Sequence, residues 1–381
     1  MIYLDNAATS YPKPQAVYDA MDDFLRNRAG NPGRSGHGLA VAAQSVIDDG
    51  RRQLAALFNA PDPRRIVFAL NATDAINIAL KGLLRAGDHV VATSMEHNAV
   101  VRPLTRLQRE GVEVTWVQCD GTGLLDPADV ARAITPQTRL VLVNHASNVC
   151  GTIQPIAEVA RVAAARGVLF VVDAAQTAGC LPINVQALEV DVLAFPGHKS
   201  LFGPPGTGGL YVGTRANIGS FREGGTGSAS ESPEHPLELP ERLEAGTLNS
   251  AGIAGLAAGV AFIREAGTEA IRAHEERLGE LLWSGLSDIP GLRLYGPTAT
   301  TARTSVVSFT LEAWEPTEIG AILDSSFGIA VRPGLHCAPL AHRTLGTMPQ
   351  GTVRMSCGYF TTEADIEAAV AAVRQIARAT V

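Results

Sequence analysis

Short apolar runs recur between residues 66 and 212, and the segments around them carry apolar residues at helical spacing. The runs cover Ile66–Leu70, His89–Ala92, Val112–Gln118, Leu140–Val143, Val168–Val172, Val190–Phe195 and Gly209–Val212. Strands that are apolar throughout and alternate with helices predict a mainly parallel sheet covered on both faces. Val17, Met21, Phe24 and Leu25 give an amphipathic helix over Gln15–Arg28, and a second long helix is expected over His37–Asn59, ahead of Pro61. Asn71-Ala72-Thr73 reads as a turn before a helix over Asp74–Leu84, and another helix is expected from the Met95–Asn98 strand end to about Glu110. Residues 1–14 and Asn31–Gly36 read as irregular.

Beyond residue 212 the pattern changes. Residues 222–247 are rich in Gly, Ser, Glu and Pro and lack periodicity; such a loop is either disordered or functional, as an active-site cover or a subunit contact. Gly255–Ser287 predicts one or two helices, with Leu278, Leu281, Leu282 and Leu286 on one stripe. Val306–Leu311 alternates like a strand, and Thr362 is placed to cap a final helix carrying Ile366, Val370, Val373 and Ile376. The expected architecture is α/β: a large domain over residues 15–255 and a smaller α+β domain, its sheet antiparallel, built from 1–14 and 256–381.

Ligands of mainly parallel sheets bind beyond the carboxyl ends of the strands. Thr73, His97, Asn148, Asp173, Gln176 and Lys199 each lie just after an apolar run, on that rim. Lys199 sits between an apolar strand and the glycine-rich Gly203–Gly209, a poor setting for a mere solvated charge. An acid at one strand end and a lysine at the next suit pyridoxal phosphate (PLP): the lysine bonds the aldehyde, and the acid keeps the pyridinium nitrogen protonated. The pair is equally compatible with a structural role. Ala72 and Thr73, at a helix start, could hold a phosphate or simply cap the helix. His97 could stack on a planar ring or serve as a structural hydrogen-bonder, Asn148 and Gln176 could reach a phenolic oxygen, and His198 could add a phosphate contact.

Cys337 lies between glycine and proline breakers in Arg332–Ala338, directly after His336. A loop cysteine near positive charge can act as a nucleophile, whereas Cys119, Cys150, Cys180 and Cys357 read as small buried apolar residues. Arg354 could pair bidentately with a substrate carboxylate or be an exposed surface arginine.

Composition narrows the class without naming the chemistry. A chain of 381 residues with 46% hydrophobic and 18% charged residues describes a globular enzyme of two domains. A net charge of −7 and no Lys/Arg run argue against a nucleic-acid or anionic-membrane partner. The start of the chain lacks signal-peptide features, no apolar run is long enough to span a bilayer, and the odd number of cysteines without CxxC spacing suits a reducing, cytoplasmic setting. No metal site is expected.

Eight segments occur in the order found in one known family: Tyr3–Ala8, Asn71–Asn77, Glu96-His97, Ser147–Thr152, Val172–Gln176, Gly197–Lys199, Glu244–Asn249 and His336–Ala338. On these the chain resembles, end to end, the cysteine desulfurases and selenocysteine lyases among the class V aminotransferase-fold PLP enzymes. The resemblance implies the aspartate aminotransferase-like fold (fold type I), Lys199 as the Schiff-base lysine, Asp173 on the pyridinium nitrogen, His97 stacked on the ring and Gln176 near its phenolic oxygen. It implies Asn148 as a ring or substrate contact, Ala72, Thr73 and His198 around the phosphate, and Arg354 on the substrate carboxylate. Thr247 would reach the phosphate of a neighbouring subunit, making the enzyme a homodimer. Cys337 would take sulfur from L-cysteine as a persulfide and pass it to an acceptor protein, leaving alanine. Pro196 replaces the family's usual hydroxyl residue, an extra residue (Ser200 or Leu201) precedes Phe202, and Leu335 replaces a histidine beside Cys337. Selenocysteine lyase, cysteine or cystine β-lyase and aminotransferase chemistry on the same fold remain alternatives, as does a non-catalytic PLP-binding scaffold.

Overall fold

The structure, a computed structural model, describes residues 1–33, 36–228 and 231–379. A two-residue strand, β1 (Ile2–Tyr3), is followed by α1 (Gln15–Asp23), which continues as a π-helical turn over Phe24–Arg28, and by α2 (Gly38–Phe58). His37 caps α2 at its start, and Asn59 ends it in the left-handed conformation at φ 53°.

Seven strands then build the large sheet: β2 (Ile66–Ala69), β3 (His89–Thr93), β4 (Glu113–Val117), β5 (Thr138–Asn144), β6 (Leu169–Asp173), β7 (Val192–Pro196) and β8 (Gly208–Val212). Their spatial order is β2-β8-β7-β6-β5-β3-β4, and only β8 runs against its neighbours. Adjacent residues of each strand enter different cores. Val67, Val90, Leu140, Val171, Val192 and Leu210 pack with Ile76 and Leu80 of α3 (Ala72–Leu83) and Leu104 of α4 (Asn98–Arg109). Phe68, Val91, Val141, Phe170, Leu193 and Tyr211 pack instead with α2, with α5 (Pro127–Ala133), α6 (Ile156–Ala165) and α7 (Ser250–Ala266) through Leu54, Val130, Val159 and Val260. Burial on both faces is why these strands read as unbroken apolar runs. The edge strand β4 departs from that reading, exposing Glu113 and Thr115, and a charge there discourages further pairing.

Asn71-Ala72-Thr73 is not a free turn. Asn71 caps α3, its Oδ1 accepting from the Asp74 N–H at 3.0 Å, so Ala72 and Thr73 already belong to the helix's first turn. The side-chain cap extends the helix back toward the strand.

The Gly255–Ser287 segment resolves into the end of α7 and α8 (Thr268–Ser287), separated by Gly267. A second sheet follows from β9 (Leu292–Tyr295), β10 (Val306–Leu311), β12 (Arg332–Gly334) and β13 (Thr352–Ser356), in the order β12-β13-β10-β9 and antiparallel throughout. Between β10 and β12, α9 (Pro316–Phe327) leads to β11 (Ile329–Ala330), which pairs in parallel with β1. The short α10 (Pro339–Thr344) precedes β13, and α11 (Glu363–Arg378) ends the described chain. Leu278, Leu282 and Leu286 of α8 join Phe309, Leu323, Met355, Ile366 and Val373 in this core. Leu281 does not: it stays 39% exposed at the edge of a stripe narrower than expected. Thr362 forms the expected cap, reciprocated by Asp365. The described parts of 222–247 form no helix or strand; residues 229–230 of that segment, and 34–35 of the Asn31–Gly36 loop, lie outside the described residues. Among the described residues no helix is long and apolar enough to cross a membrane.

Candidate active site

The carboxyl ends of the parallel strands open into a cavity of about 290 Å³. Thr73, His97, Asn148, Asp173, Gln176 and Lys199 all line it, so the six rim residues share one space; Ala72, His198 and Arg354 line it too. Asp173 is the last residue of β6 and is buried, with its Oδ1 accepting from the Ala175 N–H at 2.9 Å. Lys199 follows β7 on a turn clamped from the N-terminal segment. Ser10 Oγ donates to the Lys199 carbonyl at 2.8 Å, while Thr9 Oγ1 and Lys13 Nζ donate to the His198 carbonyl at 3.0 and 2.8 Å.

His97 combines its two candidate roles. Its Nδ1 accepts from the Ala99 N–H at 3.0 Å and caps α4, so the neutral ring carries its proton on Nε2 while lining the cavity. Gln176 Nε2 donates to the Ala7 carbonyl at 3.1 Å. Arg354 is no surface residue: it is 1% exposed, donating from Nη2 to Asp5 at 2.6 Å and from Nη1 to the Asn148 carbonyl at 3.0 Å. Its Nε has no partner, and neither do Asn148 Oδ1 and Asn144 Oδ1, all buried in residues that line the cavity. An unmet buried polar group costs about 1–3 kcal/mol. Three around one space fit a polar ligand.

Two of the expected site residues lie outside this cavity. Cys337 is exposed, on the turn between β12 and α10, with φ 49° at His336 and 57° at Cys337. Arg332 Nη2 approaches its Sγ to 3.5 Å, and Arg332 and His336 line the cavity on that side. Thr247 is exposed and lines a separate cavity of about 280 Å³ with Arg51 and Glu244, which form a buried ion pair. Of the other cysteines, Cys150, Cys180 and Cys357 are buried as expected, but Cys119 is only partly so, because it follows the edge strand β4.

The description "Aminotransferase class-V" belongs to the family model that matches residues 2–369. The chain belongs to this family. It is 37% identical over 373 residues to a probable cysteine desulfurase of Methanothermobacter thermautotrophicus, covering 96% of this chain and 92% of the relative. It is 36% identical over 390 residues to a cysteine desulfurase of Yersinia pseudotuberculosis, covering 99% and 93%. The apo structure of a cysteine desulfurase from Thermococcus onnurineus superposes with a TM-score of 0.93 at 34% identity, covering 99% of this chain and 95% of that one.

Electrostatics in this family member make the bases of the cavity easier to free of their protons. Burial pushes Lys199 down to about 8; Asp173 opposes that shift, and Arg354 and Arg332 add to it. Burial, then Lys199, holds His97 down to about 4, and His198 likewise. Asp173 is pushed up by desolvation, against the Ala175 N–H and the Lys199 charge. A cavity whose lysine gives up its proton more readily than usual, beside an acid, suits carbonyl chemistry.

Sequence reasoning gave no role to Arg332, Asp5, Asn71 or Asn144. Arg332 and Asp5 stand inside quoted motifs, next to Cys337 and to the N-terminal Tyr-Leu, and a cation five residues before a loop cysteine was the available signal. Nothing local marks Asn144: its position facing the cavity follows from the pairing of β5 with β6.

Proposed function

We propose that this member of the class V family is a PLP-dependent cysteine desulfurase, converting L-cysteine to L-alanine and receiving the sulfur on Cys337. One observation carries the reading. An exposed cysteine is held at a cavity lined by Lys199 and Asp173, with Arg332 touching both the sulfur and the cavity. The relatives' names support it.

The residues fit PLP. The first turn of α3, at Ala72 and Thr73, offers unpaired N–H groups and the positive end of the helix dipole to the phosphate, with His198 beside it. Asp173 would hold the pyridinium nitrogen, His97 the ring face, Gln176 the phenolic oxygen and Asn148 the ring or substrate. When bound, PLP supplies an electron sink for the substrate's α-carbon.

The chain's own groups do the rest. Lys199, whose amine is more readily freed of its proton than usual, would hold the cofactor aldehyde and, once the substrate amine displaces it, would move the proton at the α-carbon. Arg354 takes the substrate carboxylate, a role its partnerless Nε supports. The Cys337 thiolate attacks the substrate sulfur; an S–S bond forms as the C–S bond breaks, and the carbon keeps the electron pair and gains a proton to become alanine. The exposed Thr247, outside its own chain's cavity, supports a homodimer in which it serves the neighbouring phosphate. An exposed persulfide supports release to an acceptor protein, and free thiols of this kind suit the cytoplasm.

The test compares sulfide and alanine released from L-cysteine, with a thiol reductant, by wild type and Cys337→Ala. Equal sulfide and alanine, both lost in the variant while cofactor absorbance persists, is the expected result. Pyruvate in place of alanine, or full activity without Cys337, makes the protein a lyase and ends the proposal.

A further inference from the structure

A turn with two successive non-glycine residues at positive φ must be held by its surroundings, since such conformations cost of order 1–3 kcal/mol each. The Cys337 turn is closed by its own Ala338 N–H to Leu335 carbonyl bond at 2.9 Å and is held at three further points. Asn148 Nδ2 donates to the His336 carbonyl at 2.7 Å, and the Asn98 N–H donates to the Cys337 carbonyl at 2.8 Å. The third is a buried side-chain relay that the proposed chemistry does not use. His336 Nε2 lies 2.9 Å from the Arg332 carbonyl, His336 Nδ1 lies 3.2 Å from His342 Nε2, and His342 Nδ1 lies 2.7 Å from Thr347 Oγ1.

Donor and acceptor capacity fixes every proton in that relay. A carbonyl only accepts, so His336 carries hydrogen on Nε2. Burial, with Arg354 and Arg332 close by, drives His336 down to about 2, so its ring is neutral and Nδ1 is an acceptor. His342 must then donate from Nε2, which leaves its Nδ1 to accept the Thr347 hydroxyl proton. The chain runs in one direction, from Thr347 through two rings to the backbone of β12. Neutral His336 therefore brings no charge to the sulfur, and Arg332 is the cation against it.

We propose that His342 is a positioning residue for Cys337: through its Nε2–H bond to His336 it holds the turn that keeps the sulfur beside Arg332 and the cavity mouth. This rests on Cys337 being the sulfur-accepting nucleophile.

Three variants decide it. His342→Ala should lower kcat for sulfide release about 10–100-fold, the order expected when a reacting atom is displaced by about 1 Å. KM for L-cysteine and the bound-cofactor absorbance should stay at wild-type values. His342→Gln should recover most of the rate, because its amide nitrogen can occupy the Nε2 position and donate to His336. Alkylation of Cys337 by iodoacetamide, followed by mass spectrometry, should slow in the alanine variant and recover in the glutamine one. A glutamine variant as slow as the alanine one, or a wild-type kcat in His342→Ala, overturns the assignment. Should His342→Ala fail to fold, Thr347→Val removes the relay's terminal donor, with its longer 3.4 Å contact to the His342 carbonyl: a kcat loss at constant KM supports the proposal, and wild-type kinetics sink it. Full activity in Cys337→Ala would instead remove the underlying reading, whatever the His342 variants do.

Discussion

Lys199 and Cys337 both sit on turns, yet the molecule holds them in opposite ways. Lys199 follows a central strand of a seven-stranded sheet, faces an internal cavity and has its carbonyl clamped by Ser10 and that of His198 by Thr9 and Lys13. Cys337 projects to solvent from the edge of the four-stranded sheet, on a left-handed turn fixed by hydrogen bonds from the Asn148 side chain, the Asn98 N–H and the His336–His342 pair. The contrast fits the roles proposed for the two groups. A lysine that works as a free amine needs desolvation, which the sheet's rim provides. A cysteine that hands sulfur onward needs access, and an exposed turn can be precise only if hydrogen bonds replace the missing packing.

The largest expected effect breaks the cavity and spares the turn. Lys199→Ala should lower kcat by on the order of 10⁴-fold or more and abolish the visible absorbance of lysine-bound PLP. Iodoacetamide should still alkylate Cys337 at the wild-type rate, and a parallel loss of alkylation would show that the two regions are not separately built. A smaller effect is expected where the regions meet. Arg354 donates to the Asn148 carbonyl, and the Asn148 side chain donates to the His336 carbonyl. Arg354→Lys keeps the charge but loses the forked geometry. It should raise KM for L-cysteine roughly 10-fold to 100-fold, equivalent to about 1.5–3 kcal/mol for a charged hydrogen bond, with cofactor absorbance intact. An unchanged KM in steady-state assays would remove Arg354 from substrate binding.

The same contrast explains what could be read from the sequence. The large sheet was legible because both faces of its strands are buried, so Val67 and Phe68, or Val192 and Leu193, leave an apolar run whichever face is considered. The rim residues follow from strand ends, which the runs locate. Asn71-Ala72-Thr73 misread as a turn because a side-chain cap and a turn share the same residue types. Leu281 misread because a helical stripe gives direction but not width. Around Cys337 the local sequence shows a cysteine, a histidine and breakers, while the His342 ring that touches His336 and the Asn148 amide that reaches its carbonyl come from other elements. No spacing rule joins residues 148, 336 and 342. Tertiary contact does.

The smallest effect compares the histidines behind the two regions. His145, buried behind the cavity with its Nδ1 2.9 Å from Thr177 Oγ1, is held down to about 4 by burial. His342, buried behind the turn, is likewise held down to about 4. An unfolded chain would titrate each near the ordinary value of about 6.5. Between those values the unfolded state binds more protons, so the stability each neutral ring preserves is complete above about pH 7.5, begins to fall near 6.5 and is lost as pH falls toward 4. By pH 5.5 the loss is about 1.4 kcal/mol per histidine, or roughly 2 °C in Tm for a chain of this length. His145→Asn and His342→Gln keep a donor in place and cannot titrate, so each should flatten the fall in Tm between pH 7.5 and 5.5 by that amount. Thermal scans across this range also weigh the two regions against each other. If only His342→Gln flattens the curve, the acid-sensitive part of the molecule is the turn that carries the sulfur; if the two flatten it equally, the cavity shares that sensitivity.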